Sequence, residues 1–211
     1  MKKILITSLV VMMLLGFSGF AFAMVGTALP IGSYVYPTVA NNLTNVTLVD
    51  SLTSNYAHGT VFGTLQAWVY RDNTDSNLIF AYQVNNAAGS GDGISRVTST
   101  SFSGYTTEVG YDSSSGSQAP AYFDRGSTTT IGAQFEFPPT GIHVSAGSSS
   151  NIWWIKTNST VYAVGEASVL NGGAANVPTF APSTTATPEP SSLMLLGMGI
   201  LGLFGLGKKK L

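Results

Sequence analysis

The sequence predicts an all-β fold, a β-sandwich of jelly-roll type, framed by two apolar ends. Three observations predict it. Apolar residues in the middle of the chain recur with a period of two, and no stretch there sustains a helical period. Clusters of Gly, Asn, Asp and Ser separate these short runs, as turns between strands require. Charged residues make up only 9% of the chain, so Ser, Thr, Asn and Gly carry its polarity. That composition suits a β-rich protein exposed outside the cell.

The elements follow in order. Residues 26–45 are rich in Pro, Gly and Asn and hold one short strand. Residues 46–52 alternate as a strand. In 61–70, Leu65, Ala67 and Val69 fall on one face and Phe62, Trp68 and Tyr70 on the other. Both faces are apolar, which predicts a central strand in a two-layer structure. Residues 71–77 are turn-rich. Leu78, Phe80, Tyr82 and Val84 then alternate with Ile79, Ala81, Gln83 and Asn85, which completes a hairpin with a longer loop. Residues 85–93 are a loop. Weaker strands follow at 94–100 and 106–111. Ile131, Ala133, Phe135 and Phe137 line one face of a strand that Pro138 and Pro139 end. In 151–157, Ile152 and Trp154 oppose Trp153 and Ile155, so at least one tryptophan belongs to the core. Asn158 and Ser159 make a turn, and Val161, Ala163, Ala167 and Val169 share the face of the next strand. Residues 171–187 carry no charge and little periodicity, which predicts a flexible, partly extended spacer. The sandwich domain is assigned to 24–178 and a linker to 179–187. This is one domain's worth of chain, large enough to bury a core without staples.

The N-terminus reads as a secretory signal peptide over 1–23. Lys2 and Lys3 precede an apolar run from 4 to about 17, and Ala21 and Ala23 are the small residues a signal peptidase reads. Cleavage after Ala23 leaves Met24 first; the alternative is an uncleaved anchor. The chain has no Cys, which excludes a disulfide scaffold, thiol catalysis and cysteine metal sites. Residues 24–187 hold four basic and nine acidic side chains, a net charge of −5. No basic stripe exists, so nucleic acid is not an expected partner.

At the other end, Pro188, Glu189 and Pro190 precede an uncharged apolar run over 193–207, then Lys208, Lys209 and Lys210. The prolines fix φ and lack N–H groups, so this segment favours an extended backbone that a processing enzyme can grip. The apolar run predicts a single short transmembrane helix in contact with membrane lipid. As a helix it rises roughly 22 Å, short of the ~30 Å hydrocarbon core. The lysine stems offset part of the mismatch by snorkelling. The three lysines form a cytoplasmic basic tail, which places Pro188, Glu189 and Pro190 just outside the membrane.

The order of these parts over 187–211 resembles the PEP-CTERM sorting signal, the substrate tail of exosortases. The basic end is built of lysines where that family often has arginines, and Thr187 stands where Val is frequent. The resemblance implies an inner-membrane exosortase with a Cys nucleophile that cuts near Pro188, Glu189 and Pro190. It implies release or transfer towards the cell surface of a Gram-negative bacterium, with an envelope or biofilm role linked to exopolysaccharide. The competing reading is an ordinary C-terminal anchor behind a proline hinge. A GPI-type signal would end apolar, without the lysines.

The body offers few groups for chemistry. His58 and His143 are its only histidines, and no Gly-x-Ser-x-Gly elbow surrounds a serine. Glu108, Glu136 and Glu166 each lie in expected strands and could supply a glycosidase pair, but alternation reads them as solvated outward residues. Asp72, Asn73, Thr74, Asp75, Ser76 and Asn77 offer oxygen ligands without the spacing of a calcium loop, and a capped turn explains them better. Trp68 and Trp154 are the candidate glycan contacts, since an exposed indole can stack on a sugar, although most aromatics in a sandwich serve packing. Sequons at Asn42, Asn45 and Asn158 carry weight only in a host that glycosylates them. No catalytic residue, metal or cofactor is expected. The sequence therefore predicts a non-enzymatic exported surface or matrix protein. Its expected partners are signal peptidase, an exosortase and membrane lipid, with polysaccharide as a further one. A carbohydrate-binding module is the alternative, and a glycan-active enzyme comes third.

Overall fold

The structure is a computed structural model and describes residues 26–37, 43–136, 141 and 143–185. The expected signal peptide with Ala21 and Ala23 lies outside the described residues. So do Pro188, Glu189, Pro190, the apolar run and Lys208, Lys209 and Lys210. The described residues contain twelve strands and no helix. They are β1 (Thr27–Ala28), β2 (Tyr34–Val35), β3 (Val46–His58), β4 (Val61–Asp72), β5 (Leu78–Asn86) and β6 (Arg96–Ser99). The rest are β7 (Thr107–Asp112), β8 (Tyr122–Asp124), β9 (Ile131–Gln134), β10 (Ile152–Thr157), β11 (Tyr162–Leu170) and β12 (Ala174–Pro182).

The strands form two six-stranded sheets with antiparallel pairing. The first has the order β1-β7-β10-β5-β4-β3 and the second β12-β11-β6-β9-β8-β2. The consecutive strands β3, β4 and β5 are a meander. The pairs β8–β9, β7–β10 and β6–β11 are nested in sequence and alternate between the sheets. The chain crosses from one sheet to the other between β1 and β2, and Leu29 is buried at that crossing. On the opposite side β3 lies against β12, where Ser54 Oγ donates to the Pro178 carbonyl at 2.8 Å. Tyr162 Oη beside them donates to Asp50 Oδ2 at 3.0 Å.

The period of two decides which side chains enter the core. Leu65, Ala67 and Val69 of β4, and Phe80, Tyr82 and Val84 of β5, meet Val97, Phe123, Ala133 and Ala167 of the second sheet. Trp153 stands at the centre, fully buried. Its ring stacks on Tyr82 with centroids 4.5 Å apart, and Phe123 lies 6.2 Å away. Tyr82 Oη satisfies its polarity across the sandwich by donating to the Phe180 carbonyl at 2.9 Å.

The first sheet is apolar on its outer face as well, as the two-faced pattern of 61–70 requires. Ile79, Ala81 and Trp154 are fully buried there beneath Leu43, Val46, Trp68, Tyr70 and Ile152. Trp154 pairs with Gly110 on β7, and a Cβ on that glycine would lie 2.3 Å from the indole. Glycine is what lets the ring lie flat on the sheet.

Two expectations need correction. Residues 174–182 are not spacer: they form β12, paired with β11 from Leu170↔Ala174 to Tyr162↔Pro182. Ala175, Val177, Thr179 and Ala181 point inward and are buried. Small side chains give a weak hydropathic alternation, and the prolines disguise it further. Pro178 and Pro182 are tolerated because β12 is an edge strand. The second correction is length. The strand expected at 46–52 continues to His58 through a register shift between Leu48 and Asp50. Beyond it Leu52, Ser54 and Tyr56 turn inward, and two of those three carry hydroxyls.

Candidate functional site

The described chain leaves the sandwich at a tied end. After β12, the Ser183 amide donates to the Val161 carbonyl at 3.0 Å and the Thr185 amide to Ser183 Oγ at 3.1 Å. The last bond to the body is thus at Ser183, with Thr185 joined to it by a local turn, and Pro188 lies five residues beyond Ser183. Five extended residues span at most roughly 18 Å. The expected seventeen-residue spacer is thus reduced to a short tether between the folded body and Pro188, Glu189 and Pro190.

The same end carries the acidic turn between β4 and β5. Its carboxylates already hold a cation, the ammonium of Lys156 on β10. Lys156 Nζ lies 2.6 Å from Asp72 Oδ2 and 2.8 Å from Asp75 Oδ2. Asp72 Oδ1 accepts the Thr74 amide at 2.8 Å and Asp75 Oδ1 the Asn77 amide at 3.0 Å. Burial works to raise the Asp72 carboxyl, but the hydrogen bonds from Lys156 and Thr74 and the nearby ammonium together hold it below the usual range. Burial likewise works to lower Lys156, and its bonds to the two aspartates hold it above the usual lysine value. The lysine occupies the place that a calcium reading of 72–77 would give to the metal. Among the described residues no group of three or more His, Asp or Glu is placed to hold a metal ion.

The expected chemistry-bearing residues fall apart in space. Glu108 is on β7 of the first sheet and Glu166 on β11 of the second. Glu136 lies two residues past Gln134, at the opposite end of the second sheet from Glu166. About six residues of strand, roughly 20 Å, separate those two. No pair of these three carboxylates comes together. The histidines, remote in sequence, reach the same end of the sandwich, away from Thr185. His58 lies against Gly173, and His143 against Gly93. Asp92, near His143, is held below the usual carboxylate range by the Gly93 amide, the Asn171 side chain and that histidine.

The aromatics also divide differently from expectation. Trp154 is fully buried on the outer face of the first sheet and offers no ring to a glycan; Trp68 is half-buried beside it. Exposed rings occur instead on the second sheet. Tyr34 is 64% exposed and Tyr36 is 50% exposed. With Tyr122 they form an edge-to-face trio with centroids 5.6 to 6.3 Å apart. The sequence signal for this was the alternation Tyr34-Val35-Tyr36, with Val35 turned to the core. Cross-strand partners continue two rows from the trio over the outer face. One row runs Tyr122, Gln134, Arg96 and Leu170, and the other Tyr34, Asp124, Gly132, Thr98, Ser168 and Asn176. Arg96 lies flat over Gly132, where a Cβ would come 2.4 Å from its guanidinium, and bonds Asp124 at 2.7 Å.

Beyond the tether, residues 186–210 match the family model described as the PEP-CTERM protein-sorting motif. The chain carries a PEP-CTERM sorting motif. No curated protein and no solved structure matches the chain. The PEP-CTERM motif implies an exported protein whose processing partner at the membrane is an exosortase. It begins at residue 186, three residues after Ser183, the last described residue bonded to the sandwich. Sorting motif and folded body are therefore separated by only a few residues.

Proposed function

We propose that this protein is a non-enzymatic component of the surface or extracellular matrix of a Gram-negative bacterium, delivered by its PEP-CTERM tail. The leader 1–23 directs export and is removed by signal peptidase after Ala23. The apolar run 193–207 then holds the chain in the inner membrane as a transient helix, with Lys208, Lys209 and Lys210 in the cytoplasm. An exosortase cuts near Pro188, Glu189 and Pro190 and passes the sandwich towards the cell surface, in an envelope or biofilm setting linked to exopolysaccharide. The nested, sheet-alternating strand pairs support a sandwich of jelly-roll type, with the β3–β4–β5 meander added at its start.

The observation that carries this reading is the motif match at 186–210, placed directly after a domain whose last strand is fully paired. Glu189 supplies the test. It is the only charge between the last described residue and Lys208, held between two rigid prolines. In a host with its exosortase, Glu189→Ala will leave the melting temperature of the body unchanged and abolish the shift from precursor to mature size. Normal maturation of the variant would show that the carboxylate is not read.

A further inference from the structure

We propose that the outer face of the second sheet binds a neutral polysaccharide built of β-linked hexopyranose units. The proposal rests on the tyrosine trio and on the polar rows that continue from it. A hexopyranose with equatorial hydroxyls has flat C–H faces and a polar rim. It therefore needs aromatic rings to stack on and a few fixed donors and acceptors beside them. Tyr34 and Tyr36 supply the rings at the β2 edge, with Tyr122 fixing their orientation from β8.

Next to them, Arg96 and Asp124 supply fixed groups. The guanidinium is pinned over Gly132, and its bond to Asp124 at 2.7 Å leaves further N–H donors in a rigid plane. Further along the row, Ser168 Oγ is paired with Asn176 Oδ1 at 2.6 Å, a hydroxyl and an amide of the kind that recognises sugar. The six strands present this surface over about 24 Å, enough for several sugar units rather than one.

Charge selects the ligand class. The one cation and one anion of these rows neutralise each other, and the exported body is acidic at −5. An anionic polysaccharide or nucleic acid would meet no attractive field. A protein partner would need an apolar centre, and these rows offer one aliphatic side chain larger than alanine, Leu170. The outer face of the first sheet differs in kind: its aromatic residues pack over the buried Trp154.

The test uses the full-length chain purified in detergent, so it does not depend on sorting. Cellohexaose and laminarihexaose are the neutral probes, alginate the anionic one, and calorimetry reads the affinity. Wild type is expected to bind a neutral probe saturably and alginate not at all. Tyr34→Ala with Tyr36→Ala is expected to weaken binding at least about tenfold, as the loss of two stacking rings should. Both side chains are half exposed or more, so the melting temperature should hold. Tyr34→Phe with Tyr36→Phe keeps the rings and should keep most of the affinity. The proposal is overturned if neither neutral probe binds, if alginate binds in their place, or if the double alanine variant binds like wild type.

Discussion

Replacing Lys156 with Met will lower the unfolding free energy by about 3 kcal/mol, because it leaves a buried carboxylate without its counter-charge. Asp72 has a side-chain exposure of only 1%, and its Oδ2 sits 2.6 Å from the ammonium. Removing one partner of a buried pair costs about 3–5 kcal/mol. The low end applies because Asp75, the second partner, is 39% exposed and water screens it. Adding Asp72→Asn to Lys156→Met should recover part of the loss, since no buried charge then remains.

The pH dependence has a definite sign at each end. Asp72 is depressed in the folded state, so its contribution is present above the ordinary carboxylate range and is lost as pH falls through the depressed value. Lys156 is raised, so its contribution is present below the ordinary lysine range and is lost as pH rises through the raised value. Wild-type stability from this cluster should be level between about pH 5 and 9. The deficit of Lys156→Met should shrink towards about pH 3, where protonation neutralises the stranded carboxyl. Urea denaturation at stepped pH reads both effects. A deficit that stays constant down to pH 3 would mean that the pair is not the cause.

Trp153→Ala will be the most damaging single core change, at about 3–5 kcal/mol. The indole is fully buried, stacked on Tyr82 and in contact with Phe123 of the opposite sheet. Truncation opens a cavity that two paired sheets cannot close. Trp153→Phe separates packing from polarity. The indole Nε1 is buried without a hydrogen-bond partner among the described residues. Phenylalanine therefore removes an unsatisfied donor along with part of the volume and should cost much less than alanine. Equal losses for the two variants would contradict a packing origin of the stability, since phenylalanine keeps most of the apolar ring.

The central strands were legible because their chemistry repeats on both faces. β4, β5 and β10 carry apolar residues on both faces along part of their length, and only strands covered on two sides tolerate that. β12 was hidden because Ala175, Thr179 and Ala181 are too small to mark an inward face and Pro178 suggests a loop. Its place at a sheet edge, which excuses the proline, is a tertiary fact. The acidic run 72–77 read as a capped turn, but nothing local pointed to Lys156, which lies about eighty residues away and completes it. Trp154 was a candidate sugar platform because alternation puts it opposite Trp153 without deciding which of the two is core. Only the pairing with Gly110 shows the ring lying flat and sealed. Tyr34 and Tyr122 belong to strands of two and three residues and Tyr36 lies just past the first of them, so no sustained period could register. The sorting motif was legible because its order of rigid, apolar and basic parts is entirely local.

Mass spectrometry of the mature protein from its native host tests the central claim most directly. The account predicts a C-terminus between Thr185 and Pro190, on a chain whose body remains folded. A mature protein that still carries Lys210 and Leu211 would contradict it and leave a membrane-anchored sandwich in place of a sorted one.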